Sequence, residues 1–267
     1  MRITMLGTGH AVVTHCYNTC FVLSDNDGRN LLVDGGGGSG IVTQMERAGF
    51  GWNDIHEIFV THKHVDHILG IVWALRMVGM EIHRGTYEGE LRILGCTEVL
   101  EALRTVAREL LWDVDMSPMG ERIRLIEVAD GDHAELVGCP VTFFDVRAHD
   151  VSQLGFVLTY EPGKMMVCCG DVALNRENFA LVQRAEWLLH EAFCLSEHPA
   201  ASFIRRAGHS TVAEAAMTAE LVGARHLLLY HTEDGDLAHR KERYSAEAAG
   251  CFAGTVVVPD DLEVIEL

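Results

Sequence analysis

The chain has 267 residues, 48% of them hydrophobic, which is ample for one large folded domain or two small ones. Its net charge of −18 repels polyanions at long range and disfavours a large nucleic-acid partner. No apolar run is long enough to cross a bilayer, and the first residues lack a signal-peptide pattern. The eight cysteines contain no C-x-x-C pair, which suits a reducing compartment. We therefore expect a cytoplasmic protein without a membrane segment.

Short β-rich runs alternate with helical stretches, without a linker or a repeat, so we expect one domain over residues 1–267. In the first half the pattern predicts strands at 2–6, 19–23, 30–33, 55–60 and 92–95, and helices at 40–48, 68–78 and 97–112. In the second half it predicts strands at 123–128, 135–146, 154–160, 164–169, 186–190, 225–230, 255–258 and 262–266, and helices at 177–185, 211–222 and 237–249. This alternation alone indicates only an α/β or α+β class.

The run Thr-His-Lys-His-Val-Asp-His over residues 61–67 follows the predicted strand 55–60 directly. His62 and His64 are two positions apart, so a turn can aim both side chains at one point, and Asp66 and His67 can face a second point nearby. Imidazole and carboxylate are ligands that zinc selects. A histidine-rich surface loop is the alternative, but four ligand-type residues in six positions favour a metal site with the spacing of two ions.

The pattern His-x-His-x-Asp-His resembles the signature of the metallo-β-lactamase superfamily of hydrolases. The resemblance implies an α/β (α+β) fold, a four-layer αββα sandwich of two mixed sheets with outer helices. It also implies three later ligands, and the sequence offers a candidate for each just beyond a predicted strand. On this resemblance the first metal is held by His62, His64 and His149, the second by Asp66, His67 and His231, and Asp171 bridges the two.

The resemblance implies two divalent ions, with Zn²⁺ favoured, although Mn²⁺ and Fe²⁺ suit the same ligands. Asp34, at the end of the predicted strand 30–33, matches an early aspartate of the superfamily. We expect it to orient the metal loop by hydrogen bonds rather than to bind metal.

Two further motifs resemble those of the ribonuclease Z-like phosphodiesterases. They are His-Glu-Ala-Phe at 190–193 and Gly-His-Ser-Thr at 208–211. In that branch the histidine of the second motif, with a glutamate, assists the leaving group, which makes His209 and Glu191 candidate catalytic residues. Asp66 would orient the attacking water or accept its proton. The alternatives are that Ser210 or Thr211 only caps the next helix, and that Glu191 is solvated.

Two departures from ribonuclease Z count against tRNA as the substrate. The glycine run 35–38 lacks the glutamate that ribonuclease Z carries there. Asp171 lies only 22 positions after His149, which leaves no room for the protruding arm that grips tRNA. The compact spacing is more similar to small-molecule members of the branch, such as the cyclic-phosphate phosphodiesterase of phosphonate breakdown, whose cysteine-based zinc site is missing here.

We therefore expect a hydrolase that uses a metal-bridging hydroxide on a small or cyclic phosphodiester. The alternatives are the tRNA 3′-processing enzyme working without its arm, and a lactonase, thioesterase or arylsulfatase on the same fold. The segment 195–207 is expected to form a lip over the site, where Arg205 or Arg206 could meet a phosphate or simply be solvated. The branch commonly forms dimers, so a homodimer is consistent with the resemblance.

Overall fold

The computed structural model describes all 267 residues, in fourteen strands and eight helices. The strands are β1 (Arg2–Gly7), β2 (Cys20–Ser24), β3 (Asn30–Val33), β4 (Glu57–Phe59), β5 (Leu91–Gly95), β6 (Ile123–Glu127), β7 (His133–Leu136), β8 (Cys139–Asp145), β9 (Leu154–Glu161), β10 (Lys164–Cys168), β11 (Trp187–Glu191), β12 (His226–Tyr230), β13 (Thr255–Val257) and β14 (Val264–Glu266). The helices are α1 (Gly40–Arg47), α2 (Val65–Arg84), α3 (Thr97–Leu110), α4 (Asp113–Met116), α5 (Phe179–Val182), α6 (Ala201–Arg206), α7 (Val212–Val222) and α8 (Leu237–Ala249). None of these helices combines the length and the apolar composition needed to span a bilayer.

The strands form two seven-stranded mixed sheets. The first has the order β14-β1-β2-β3-β4-β5-β6, and the second has the order β13-β12-β11-β10-β9-β8-β7. In the first sheet β3 to β6 run parallel, and in the second sheet β10 to β13 run parallel, while the remaining pairs are antiparallel. The two mixed sheets that we expected are therefore present.

The sheets pack face to face over a core of 49 buried hydrophobic residues. Phe59 of β4 meets two aromatic rings of the second sheet, Phe143 of β8 at 5.2 Å and Phe156 of β9 at 5.4 Å between ring centroids. A second cluster of 23 residues lies on the outer face of the second sheet, where α7 and α8 cover it. Helices α1 and α3 contact the first sheet. The layer order is thus helices, sheet, sheet, helices.

Three local predictions differ from the structure, and one of them is the helix predicted at 177–185, of which only α5 (Phe179–Val182) is α-helical. The single strand predicted at 135–146 is wrong, because β7 and β8 form a hairpin there. Its turn residues Val137 and Gly138 have φ angles of 45° and 72°, the geometry of a tight two-residue turn that hydropathy alone does not reveal. Helix α2 begins at Val65 rather than at residue 68, so Asp66 lies in its first turn. The segment 195–207 contains the helix α6, and its role as a lip over the site stays a prediction.

The parallel strands end on the same side of the sandwich, and this is where the predicted site residues follow them. Asp34 follows β3, His62 follows β4, Asp171 follows β10 and His231 follows β12. Because carboxyl ends of parallel strands meet at one edge of a sheet, side chains far apart in the sequence can converge there.

Candidate metal centre

The loop after β4 and the loop after β10 form the first group of candidate ligands. His62 Nε2 lies 2.9 Å from His64 Nδ1 and 3.3 Å from Asp171 Oδ2. His62 is buried, and His64, at the start of α2, is partly exposed. Two imidazole nitrogens and a carboxylate oxygen therefore converge on one point. The two histidines follow a strand of the first sheet, and the aspartate follows a strand of the second.

Asp66, His67 and His231 form the second group, and all three side chains are buried. Asp66 Oδ2 lies 3.3 Å from His67 Nε2 and 3.6 Å from His231 Nε2. Neither of these two nitrogens makes a hydrogen bond within the protein. Buried polar atoms nearly always have a partner, so a pair of orphaned nitrogens facing a carboxylate is a donor set that fits a divalent cation.

Asp171 contacts both groups through a single oxygen. Its Oδ2 lies 3.3 Å from His62 Nε2, 3.4 Å from His67 Nε2 and 3.6 Å from His231 Nε2. This is the position that a bridging ligand requires. Its other oxygen, Oδ1, accepts a hydrogen bond of 2.7 Å from Nε2 of Gln153, which is buried and which sequence reasoning missed. The only signal for Gln153 was its place directly before a predicted strand.

Asp34 orients the metal loop without joining either group. Its Oδ2 accepts hydrogen bonds from His67 Nδ1 at 2.8 Å and from Thr61 Oγ1 at 2.9 Å, and its Oδ1 accepts one from the Thr61 N–H at 2.8 Å. Asp34 has a φ of 58° and His231 a φ of 57°, a left-handed conformation that is uncommon outside glycine. Such strain concentrates at functional sites, where the surrounding structure maintains it.

The glycine run at residues 35–38 forms a loop after Asp34, and α2 packs closely against this loop. The Gly35 N–H donates to the carbonyl of His67 at 2.9 Å, and the Gly70 N–H donates to the carbonyl of Gly36 at 2.9 Å. A Cβ atom at Gly70 would lie 1.7 Å from the Gly35 carbonyl oxygen. Only glycine fits at position 70, and the contact fixes the first turns of α2, which carry the second ligand group.

The site holds ionised carboxylates in a buried setting. Burial alone would raise the pKa of Asp66 and Asp171, but the neighbouring imidazoles hold both pKa values well below their usual range. Burial alone would lower the pKa of His67, yet the surrounding carboxylates, Asp34 foremost, raise it well above its usual value. Negative charge is thus concentrated where a cation would bind.

His149 is not among the groups whose ligand atoms converge. It is exposed on the loop between β8 and β9. The next residue, Asp150, places Oδ2 3.3 Å from His64 Nε2, so this loop borders the first ligand group. The assignment of His149 as a metal ligand stays a prediction.

His209 and Glu191 face each other beside the second ligand group. His209 Nδ1 lies 3.7 Å from Glu191 Oε2, and neither atom has a hydrogen-bond partner. The ring of His209 lies 5.4 Å from that of His231. Glu191 is completely buried and its Oε1 accepts the Ser210 N–H at 2.6 Å, so the alternative that Glu191 is solvated is wrong. Burial raises the pKa of Glu191 well above its usual value, and burial lowers the pKa of His209.

Two other polar residues of these motifs, Thr211 and His190, have structural roles. Thr211 is the N-cap of α7 and forms a capping box with Glu214, as the alternative reading expected, and this leaves His209 free to face Glu191. His190 is buried, and its Nε2 accepts the N–H of Leu174 at 3.1 Å. Burial lowers the pKa of His190 to about 4, so its ring is neutral and holds the segment that follows Asp171.

The sequence model of the family described as Anti-Pycsar protein Apyc1 matches residues 1–247. The chain belongs to this family. The match contains every candidate ligand and every candidate catalytic residue.

Curated proteins similar to this Apyc1-family chain include ribonuclease Z of Natronomonas pharaonis. The two are 29% identical, and the alignment covers 100% of this chain and 98% of the relative. The alignment spans 309 positions, so the relative carries at least 42 residues without a counterpart among the 267 here. Among solved structures, the metallo-β-lactamase fold protein YhfI of Bacillus subtilis superposes with a TM-score of 0.79, at 19% identity over 99% of this chain and 98% of that one. The Zn²⁺-bound PqqB of Methylobacterium extorquens superposes with a TM-score of 0.73, at 14% identity over 100% of both chains.

These likenesses confirm the metallo-β-lactamase fold and the ribonuclease Z-like branch predicted from the motifs. The Apyc1-family chain is a metal-dependent hydrolase, and the two groups of histidine and aspartate are candidates for divalent ions.

A cleft of about 620 Å³ opens beside His209 and also reaches His149. Its lining includes three arginines: Arg147, Arg176 and Arg205. Sequence reasoning named Arg205 and Arg206 together, and the structure separates them, because only Arg205 lines the cleft. Arg176 had no sequence signal beyond lying five residues after Asp171.

Proposed function

We propose that the chain is a dinuclear metal-dependent phosphodiesterase that acts on a small or cyclic phosphodiester. The observation that carries the proposal is Asp171 Oδ2, which lies within 3.6 Å of ring nitrogens from both ligand groups. The relationship to proteins named ribonuclease Z supports a phosphodiester as the bond that is cleaved.

The donor set supports two divalent ions. His62 and His64 would hold the first ion together with the predicted ligand His149, and Asp66, His67 and His231 would hold the second. Asp171 would contact both ions. The fit rests on two observations. The buried Nε2 atoms of His67 and His231 have no hydrogen-bond partner, and His62 Nε2 lies 2.9 Å from His64 Nδ1 in the first group. Zinc is favoured by the ligand types, and the Zn²⁺-bound neighbour supports it. When bound, the ions supply Lewis-acid activation of a phosphoryl oxygen and a water of lowered pKa.

Asp66 would orient the attacking water or accept its proton. Its carboxylate is buried between His67 and His231 and is held in the ionised form, which can accept a hydrogen bond from a water molecule. The same carboxylate is a candidate ligand, so its loss removes both roles at once.

The pair of His209 and Glu191 assists the leaving group. The raised pKa of Glu191 and the lowered pKa of His209 favour a single proton for the two facing atoms, Glu191 Oε2 and His209 Nδ1, which lie 3.7 Å apart. Whichever atom carries that proton, the other ring nitrogen of His209, Nε2, keeps its own. His209 lines the cleft, where this N–H can donate to the leaving oxygen of a substrate.

The chain between His149 and Asp171 offers no arm that could hold a large substrate. That interval contains β9, β10 and a tight turn at residues 161–164, with no protruding arm. Together with the net charge of −18, this compact arrangement favours a small diester over a folded RNA.

The proposal is tested on protein stripped of metal and reloaded separately with Zn²⁺, Mn²⁺ or Fe²⁺. The substrates are bis(4-nitrophenyl) phosphate, a cyclic nucleotide, an aryl sulfate, a lactone and a thioester. We expect hydrolysis of the phosphodiesters to exceed that of the other esters and to depend on two ions per chain, counted by elemental analysis. A preference for a non-phosphate ester contradicts the proposal.

A second candidate function is tRNA 3′ processing, which the relationship to ribonuclease Z over the whole chain favours. A gel assay on precursor tRNA separates it from the small-molecule activity. Cleavage at the 3′ end with turnover comparable to that on small diesters would support tRNA processing instead.

The proposal includes a single domain over residues 1–267, since β1 and β14, from the two ends of the chain, pair in one sheet. It also includes the homodimer expected from the branch, which light scattering of the purified protein checks.

A further inference from the structure

The three arginines of the cleft differ in what they contact. Arg147 pairs with Asp145 at 2.9 Å, and Arg205 pairs with Glu214 at 2.7 Å. The guanidinium of Arg176 forms no ion pair within 4 Å and no hydrogen bond, although the chain has 39 acidic residues against 21 basic ones. An unpaired guanidinium in so acidic a protein, in the cleft that contains His209, is available for an anion.

The segment that carries Arg176 is fixed relative to the metal centre. It begins at Asp171, and it is held by hydrogen bonds from the Ala173 N–H to the Gly208 carbonyl at 2.9 Å and from the Leu174 N–H to His190 Nε2 at 3.1 Å. Its far end is held by Asn178 Nδ2, which donates to the Asp145 carbonyl at 2.8 Å. The bridging carboxylate and the free guanidinium therefore lie on one short segment that is anchored at both ends.

We propose that Arg176 is a phosphate-binding residue of this cleft. The inference rests on the proposed phosphodiesterase function and adds a specificity-determining residue to it. A guanidinium donates two parallel hydrogen bonds to a phosphoryl group. Two phosphates could supply the oxygens: the scissile phosphate, through an oxygen not engaged by the metal centre, or a second phosphate on the leaving-group side. Both place Arg176 in contact with substrate.

Arg206 provides a matched control. Like Arg176 it is exposed and has no acidic partner within 4 Å, but it lies at the end of α6 and does not line the cleft. A general effect of removing one positive charge from the protein would appear equally in both variants.

The test compares wild type, Arg176→Ala, Arg176→Lys and Arg206→Ala, all metal-loaded and checked for equal metal content. Bis(4-nitrophenyl) phosphate and a cyclic nucleotide carry only the scissile phosphate, while a linear dinucleotide with a terminal phosphate carries a second one. We expect Arg176→Ala to lower kcat/KM roughly 10- to 100-fold, the loss of a charge-assisted hydrogen bond. Arg176→Lys should retain part of the activity, and Arg206→Ala should match wild type.

The pattern across substrates identifies the phosphate. A loss on all three assigns the scissile phosphate, and a loss only on the terminally phosphorylated dinucleotide assigns the second one. Titration calorimetry with inorganic phosphate is the readout independent of turnover, and Arg176→Ala should weaken its binding by a similar factor.

The inference is overturned if Arg176→Ala matches wild type on every substrate and in the phosphate titration, or if Arg206→Ala shows the same loss. Failure of the proposed function looks different, because wild-type protein then hydrolyses no phosphodiester. In that case the phosphate titration alone decides whether Arg176 binds the anion.

Discussion

Asp34 Oδ2 accepts a hydrogen bond of 2.8 Å from Nδ1 of His67. The bond keeps a proton on Nδ1, so Nε2, which faces Asp66 and Asp171, is the ring nitrogen that would release its proton when a cation binds. The same carboxylate holds Thr61, directly before the first ligand. Asp34 therefore controls the direction of the metal ligands from a position outside both ligand groups.

Replacement of Asp34 should weaken metal binding without removing a ligand. We expect Asp34→Asn to lower the affinity for the second ion roughly 10- to 100-fold, because the single amide oxygen cannot accept all three hydrogen bonds that the two carboxylate oxygens accept. Competition with a chromogenic chelator measures the affinity. Asp27→Asn, at an exposed residue near Arg29 in a distant turn, is the control. Unchanged affinity in Asp34→Asn would show that the His67 ring is held by other contacts.

Replacement of His209 should affect turnover but not metal content. We expect His209→Ala to lower kcat roughly 10²- to 10⁴-fold, the usual contribution of a general acid, while both ions stay bound. Glu191→Gln should give a smaller loss, since the amide still fills the buried position but cannot share a proton with His209 Nδ1. Steady-state kinetics with elemental analysis on the same samples measures both quantities. If His209→Ala loses metal, or keeps full turnover, the assigned role is wrong.

The sequence predicted most of the fold because its strands and helices are regular. Strand 30–33 matches β3 residue for residue, and the helices at 97–112, 211–222 and 237–249 match within two residues at each end. The exceptions have local physical causes. The β7–β8 turn depends on two positive φ angles, and α6 is too short to have a clear hydrophobic period. The face-to-face packing of the sheets came from the resemblance, since periodicity carries no information on layers.

The sequence predicted the site residues that cluster along the chain or follow a strand. It missed the residues that only the fold brings to the site. Residues 62–67 are read directly from their spacing, and Asp171 and His231 from their strand ends. Gln153 and Arg176 carry no such pattern, because an amide that holds a carboxylate and an unpaired guanidinium in a cleft are defined by their neighbours. The exposure of His149 is also a property of its loop, which the spacing of residues cannot give.

The role of His149 is decided by comparing it with His64. If both hold the first ion, His149→Ala and His64→Ala should each leave about one ion per chain and cut turnover to a similar extent. His198→Ala, outside both ligand groups, is the control. Elemental analysis after dialysis against buffer without metal measures the ion count. Two ions retained in His149→Ala would restrict the first site to His62, His64 and Asp171.

His190 should make the protein less stable in mild acid. Its pKa is lowered by burial from 6.5 to about 4. Between these values the unfolded chain binds a proton that the folded chain does not, so the free energy of unfolding falls as the pH decreases from about 6.5 to 4. The full effect is about 3 kcal/mol, from 1.36 kcal/mol per pKa unit. Above pH 6.5 His190 contributes no pH dependence.

Urea unfolding of wild type and His190→Gln at several pH values from 7 to 4, in the presence of a chelator, measures this effect. Glutamine can still accept the Leu174 N–H, but it does not titrate. The variant is expected to be less stable at pH 7. The decisive quantity is the slope of the unfolding free energy against pH: between pH 7 and pH 4 this free energy should fall less in the variant, by up to about 3 kcal/mol. Carboxylates that protonate in the same range are common to both proteins and cancel in the difference. Equal slopes would mean that the His190 ring takes up its proton in the folded state without cost, and the anchoring of the segment after Asp171 would then need another explanation.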